Sequence, residues 1–146
     1  MKNIKRVLCL VLTLLMVAST VSVFAAFSDV PTTASYEKAV SALSQLGIIK
    51  GYDDGTFKPD NDVTRAEFTA MLMRTMGAGS IGSSSSADLP FSDVSDQNSD
   101  ISWSIPNINT AYKNGIVNGY EDGTFRPNDK VAYEEAAGKT HLIAQV

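Results

Sequence analysis

Arg65 is the residue of this chain best suited to recognise a charge. It stands in Thr64-Arg65-Ala66-Glu67, after the acidic stretch Asp60-Asn61-Asp62. A planar guanidinium donates two parallel hydrogen bonds to a carboxylate, a geometry that lysine lacks. In the first turn of a helix, main-chain N–H groups and the helix dipole favour the same anion. The competing reading is a solvated arginine paired with Asp60 or Asp62. Lys50 and Lys58 are weaker basic helpers in the preceding loop. Thr64 and Glu67 have a structural role open to them. In a capping box the Thr64 hydroxyl accepts from the Glu67 amide, and the Glu67 carboxylate accepts from the Thr64 amide.

Other chemistries fit poorly. Asp53-Asp54-Gly55 invites a calcium loop. With Gly55 at the sixth position, the first and third ligands would be Lys50 and Tyr52, and in the second copy Asn118 and Tyr120. That is not the pattern of an EF-hand. Adjacent acids suggest glycoside hydrolysis, but an Asp-Gly pair is ordinary turn chemistry. His141 is the only histidine and Cys9 the only cysteine. The expectation is no catalytic residue, no metal and no cofactor.

The elements that position Arg65 occur twice. Residues 47–60, GIIKGYDDGTFKPD, return as residues 115–128, GIVNGYEDGTFRPN, with nine of fourteen positions identical. Phe27-Ser-Asp-Val30 likewise returns as Phe91-Ser-Asp-Val94. The offset is 68 for the first pair and 64 for the second, so the second copy carries a four-residue insertion before its first helix. Repeats of this kind mean packed modules. In repeat one, Tyr36, Ala39, Val40, Leu43 and Leu46 recur at helical spacing, and a helix is predicted from about Ser35 to Leu46. Gly47 stops it. Ile48 and Ile49 plug the core, Gly55 takes positive φ in a turn, and Phe57 folds back as an anchor. A second helix starts at Thr64, with Phe68, Met71, Leu72 and Thr75 as its inner face. In repeat two, Ile105, Ile108, Ala111 and Tyr112 line the first helix, with Pro106 in its first turn. The second helix there is weak: Ala132 cannot cap, and Gly138 sits inside it at a cost of about 1 kcal/mol. The fold class is all-α, two helix–loop–helix repeats.

Residues 1–25 read as a signal peptide. Lys2, Lys5 and Arg6 precede an apolar run, and Val23-Phe24-Ala25 offers a cleavage site. Residues 26–76 are repeat one, 77–90 a Gly/Ser-rich flexible linker, and 91–146 repeat two. Cleavage removes three basic residues and no acidic ones, taking the net charge from −4 to −7. Such a surface argues against nucleic acid and against an anionic membrane surface as partners. No membrane span is expected after cleavage. The mature chain holds no cysteine and so no disulfide.

The ordered combination of FSDV, a helix, GIIKGYDDGTFKPD and a helix opened by TRAE resembles the S-layer homology (SLH) family. The resemblance implies exported helical modules, built as prongs of a bundle, that hold proteins at the bacterial cell wall. Their ligand is secondary cell-wall polysaccharide, often pyruvylated. It implies ligand contact by Arg65 and by the loop residues Gly51, Asp54, Gly55 and Thr56, with Gly119 and Gly123 in the second copy. Trp103 matches an aromatic that follows FSDV; it either stacks on a sugar or fills the core. Repeat two lacks the TRAE arginine. The alternative implication is a structural envelope component that assembles with other SLH modules in trans and has no sugar site of its own.

Overall fold

The computed structural model describes residues 27–79, 85–132 and 136. The signal segment 1–25 with residue 26, the linker residues 80–84, and residues 133–135 and 137–146, with Gly138 and His141, lie outside the described residues. The described residues form four α-helices and one 3₁₀ turn. Helix α1 spans Glu37–Gln45 and α2 spans Arg65–Thr75. The 3₁₀ turn Ser86–Asp88 follows. Helix α3 is short, Ser99–Ser102, and α4 spans Ile105–Lys113. An isolated antiparallel bridge joins Thr64 to Lys130. None of the described helices is long and apolar enough to cross a membrane.

Local signals act as expected. Gly47 and Gly115 end α1 and α4 with φ near +70°, a conformation cheap only for glycine. The insertion in repeat two supplies α3, capped by the Asn98 side chain on the Asp100 amide. Pro106 opens α4, where its missing N–H costs nothing.

The core crosses the repeat boundary. Helix α2, from repeat one, packs along α4, from repeat two. Met73 lies with Phe91, Val94, Ile101, Ile105, Ile108, Ala111, Val117 and Phe125 in one cluster. This overturns the expected inner face of α2. The fully buried stripe is Arg65, Ala66, Thr69, Ala70 and Met73, while Phe68, Met71 and Leu72 are half-buried and Thr75 is exposed. The stripe sets Ala66, Thr69 and Ala70 between two long side chains, Arg65 and Met73, all buried against repeat two. Apolar residues are spread round α2, so periodicity alone had no single face to choose.

The expected face of α1 is corrected too. Only Val40 is buried; Tyr36, Leu43 and Leu46 are exposed, Leu46 to 73%. Residues 85–90, inside the stretch expected to be a tether, are held against repeat two. Asn109 donates to the Ser85 carbonyl, Lys113 pairs with Asp88 at 2.9 Å, and Leu89 packs on the core.

Candidate functional site

Each glycine-rich loop is built on an aspartate of the FSDV element. The two carboxylate oxygens of Asp29 accept the amides of Phe57 and Lys58, both at 2.7 Å. Asp93 accepts those of Phe125 and Arg126 at 2.8 and 2.7 Å. The clamp holds Lys58 and Arg126 at φ 56° and 58°, a region that non-glycine residues seldom occupy. The Phe57 and Lys58 amides, with the first the larger influence, lower the Asp29 pKa despite its partial desolvation. The rings then anchor as expected: Phe57 packs 5.7 Å from Phe27, and Phe125 5.3 Å from Phe91. A side chain on Gly51 would collide with the Phe27 ring and the Thr56 carbonyl, and one on Gly119 with Phe91 and the Thr124 carbonyl. These two glycines are required for close approach.

Inside each loop an acid, a threonine and a cation form a small cluster. Asp54 accepts from the Thr56 amide and hydroxyl and pairs with Lys58 at 3.4 Å. Lys58 lies 4.1 Å over the Tyr52 ring. In repeat two Asp122 accepts from Thr124 and pairs with Arg126 at 2.8 Å, and Arg126 lies 3.9 Å over Tyr120. Hydrogen bonds from the Thr124 hydroxyl and then the Arg126 guanidinium draw the Asp122 pKa down to about 2. Gly55 and Gly123 supply the positive φ that closes each turn.

Arg65 joins the second of these clusters. It is fully buried. Its Nε donates to the Phe125 carbonyl at 2.8 Å and its Nη2 reaches the Asn118 carbonyl at 3.5 Å. Its guanidinium lies 4.7 Å from the Tyr120 ring and 4.9 Å from the Phe125 ring. Tyr120 thus packs against two guanidiniums, Arg65 and Arg126. The reading of Arg65 as a solvated partner of Asp60 or Asp62 is overturned, since Asp62 pairs instead with Lys130 at 3.6 Å. The physical reason is that carbonyls facing the buried repeat interface need donors, and a guanidinium has five.

The opening of α2 is fully engaged. The capping box forms: Glu67 N–H donates to Thr64 Oγ1, and Thr64 N–H donates to Glu67 Oε2 at 2.8 Å. Tyr52 Oη donates to Glu67 Oε1 at 2.8 Å, and burial followed by this contact pushes the Tyr52 pKa up to about 12. The next two amides, expected to be free for an anion, go elsewhere. Arg65 N–H donates to the Asp129 carbonyl and Ala66 N–H to the Pro127 carbonyl. Repeat two takes up the helix terminus that an anion would need.

Arg65 is therefore brought together with the loop of Gly119 and Gly123. Gly51, Asp54, Gly55 and Thr56 form the matching cluster of repeat one. Trp103 stands apart at the end of α3, 45% exposed, its Nε1 donating to the Asp100 carbonyl. Sequence reasoning missed Asp29, Asp93, Tyr120 and Arg126. The signal was available, because FSDV and the Tyr-x-Asp-Gly-Thr-Phe-Lys/Arg order recur in both copies. Tyr120, Glu121, Asp122 and Arg126 line a shallow open pocket beside Arg65. An aromatic face with an exposed cation and carboxylates suits a hydroxylated or anionic saccharide.

A family model of the S-layer homology domain matches residues 26–69 and 90–137. The chain is 35% identical to a cell surface protein of Thermoanaerobacter kivui, over 93% of this chain and 18% of that protein. It is 37% identical to an endoglucanase of Bacillus sp. (strain KSM-635), over 76% of this chain and 11% of the enzyme. It is 31% identical to a cellulosome-anchoring protein of Acetivibrio thermocellus, over 66% of this chain and 21% of that protein. The chain thus spans about a fifth or less of the length of these relatives.

Proposed function

Because this chain belongs to the S-layer homology family, we propose that it is a non-catalytic module that holds a protein at the bacterial cell wall by binding secondary cell-wall polysaccharide. The relatives it resembles include proteins named for the cell surface and for anchoring, and the segment shared with the endoglucanase is a small part of that enzyme. The observation that carries the reading is the Arg65–Tyr120–Arg126 stack beside an open pocket. Arg126, half-exposed, is the cation that meets a pyruvyl carboxylate, in exchange for Asp122. Arg65 lies behind Tyr120 and fixes the ring that a sugar face would stack on. Trp103 offers a second exposed aromatic platform. Gly119 and Gly123 shape the loop, and Gly51, Asp54, Gly55 and Thr56 form the corresponding site in repeat one, where Lys58 over Tyr52 stands for Arg126 over Tyr120.

The test is co-sedimentation of the chain with purified bacterial cell walls, before and after chemical removal of the secondary polymer. Binding is expected to disappear with the polymer and to weaken on Arg126→Ala. Arg65→Ala is a poor probe here, since its loss disturbs the repeat interface as well. Unchanged binding to stripped walls would defeat the polysaccharide reading. It would favour the structural alternative, in which the exposed face of α1 pairs with other SLH modules.

A further inference from the structure

Four pairs in the chain set glycine after aspartate or asparagine: Asp54-Gly55, Asn114-Gly115, Asn118-Gly119 and Asp122-Gly123. Such pairs are chemically labile. Glycine has no side chain to shield its main-chain nitrogen from the carboxyl or amide carbon of the residue before it. Asparagine is a thermolabile residue. In three of the pairs the fold holds that nitrogen. Gly55 N–H donates to the Tyr52 carbonyl at 2.9 Å, Gly115 N–H to the Tyr112 carbonyl at 2.9 Å, and Gly123 N–H to the Tyr120 carbonyl at 3.0 Å. The side chains are held too. Asp54 and Asp122 accept from the Thr56 and Thr124 amides, and the Asn114 amide donates to the Thr110 carbonyl at 2.7 Å.

Asn118-Gly119 differs. Asn118 is exposed, and its contact across the repeats is made by its main-chain carbonyl, which Arg65 Nη2 reaches at 3.5 Å. Among the described residues, nothing accepts from the Gly119 N–H or pairs with the Asn118 side chain. We propose that Asn118 is a site of spontaneous modification, converted by its own main chain to aspartate and isoaspartate. The Gly119 nitrogen gives up its proton and bonds to Asn118 Cγ. The bond from Cγ to the amide nitrogen breaks, and that nitrogen leaves with the proton as ammonia. Water then opens the ring imide, at one carbonyl to give aspartate and at the other to give isoaspartate. No oxidant or reductant takes part.

The site lies where isoaspartate does the most to the loop. Isoaspartate inserts a methylene before Gly119 and turns the Asn118 carbonyl that faces Arg65 into a carboxylate. Gly119 has no slack for the insertion, since even a Cβ there would collide with the Phe91 ring and the Thr124 carbonyl. Tyr120, the next residue, closes the loop on Thr124 at 2.8 Å and packs against Arg65 and Arg126. Conversion therefore loosens the loop of repeat two. Repeat one carries Lys50 before Gly51 and has no amide to convert. The two loops thus age differently.

The full chain is aged in mildly alkaline buffer made with heavy-oxygen water, then digested with trypsin in ordinary water. Mass spectrometry of the peptide 114–130 reads both asparagines. Heavy oxygen is expected at residue 118. At residue 114 it should enter about tenfold more slowly, because a main-chain hydrogen bond must break before Gly115 can attack. In urea, with the fold gone, the two sites should react alike. Asn118→Gln should remove the label from position 118 without changing the melting temperature, since the side chain is exposed. Native rates at 118 no faster than at 114 overturn the inference, and so does label that enters 118 only in urea. Aged, converted chain should melt below Asn118→Asp, which gains the charge without the methylene. Equal melting temperatures overturn the loosening of the loop. No saccharide enters the experiment, so its failure is separate from failure of the cell-wall reading.

Discussion

Loops 47–60 and 115–128 share nine of fourteen residues, the aspartate clamp, the positive-φ basic residue and the Tyr–cation contact. Yet Phe125 is fully buried and Phe57 is not. Val117 is buried and its counterpart Ile49 is half-buried. The loops differ in what lies on top of them. Repeat two is covered by α2, and repeat one by no described element of comparable extent. Among the described residues, the same local sequence is therefore core in one place and half-buried in the other. Loop conformation is set by hydrogen bonds within the repeat, whereas burial is set by which helix arrives from outside it.

The largest effect that would break this comparison comes from paired substitutions. Phe125→Ala is expected to cost about 4 kcal/mol, and Phe57→Ala about half of that, because only the first opens a closed cavity. Chemical denaturation of both variants measures the difference, and equal costs would show that the loops are equivalently packed. Next in size is Arg65→Ala, at about 3 kcal/mol, since carbonyls in a buried interface lose their donor. Hydrogen exchange should rise at the Ala66 and Val131 amides, which bridge the repeats. Protection retained there would show that the interface does not depend on the arginine.

Smaller still is Thr64→Ala, which removes the hydroxyl of the capping box at about 1 kcal/mol. Thermal melts check it, and the loss should reach repeat two through α2. The smallest effect concerns acid. The folded pKa of Asp122, about 2, lies below the ordinary 3.8. The folded state thus binds that proton less readily than the unfolded one. Its contribution is present above pH ~4 and is lost as pH falls from about 4 to about 2. Asp122→Asn should flatten the melting temperature across that window, by a modest amount because the pair is exposed. An unchanged slope would mean that the Thr124 and Arg126 contacts contribute nothing.

Much of the fold was legible along the chain. Helix limits were marked by Gly47, Gly115, Pro106 and the Thr64–Glu67 box, all of which act within a few residues. The anchors Phe57 and Phe125 were legible because a large ring in a polar loop has few places to go. The site was legible only in part. Gly119, Gly123 and Arg65 were singled out, but Arg65 was assigned to solvent or ligand rather than to the carbonyls of the next repeat. Asp29 and Asp93 were visible as a repeated motif without a role, since their partners lie 28 and 32 residues away or more.

The sequence by itself determined the two-repeat organisation, the all-helical elements, the caps, and the resemblance to the S-layer homology family. These depend on spacing and on interactions between near neighbours, which a linear pattern records. Only the tertiary structure decided which stripe of α2 is buried, where Arg65 goes, and which residues of α1 are exposed among the described residues. Those outcomes depend on which surfaces meet across some 60 residues of chain. Periodicity cannot rank the faces of a helix that is apolar on several sides. The packing of the Arg65–Met73 stripe of α2 against repeat two, and the demand of loop carbonyls for donors, made that choice.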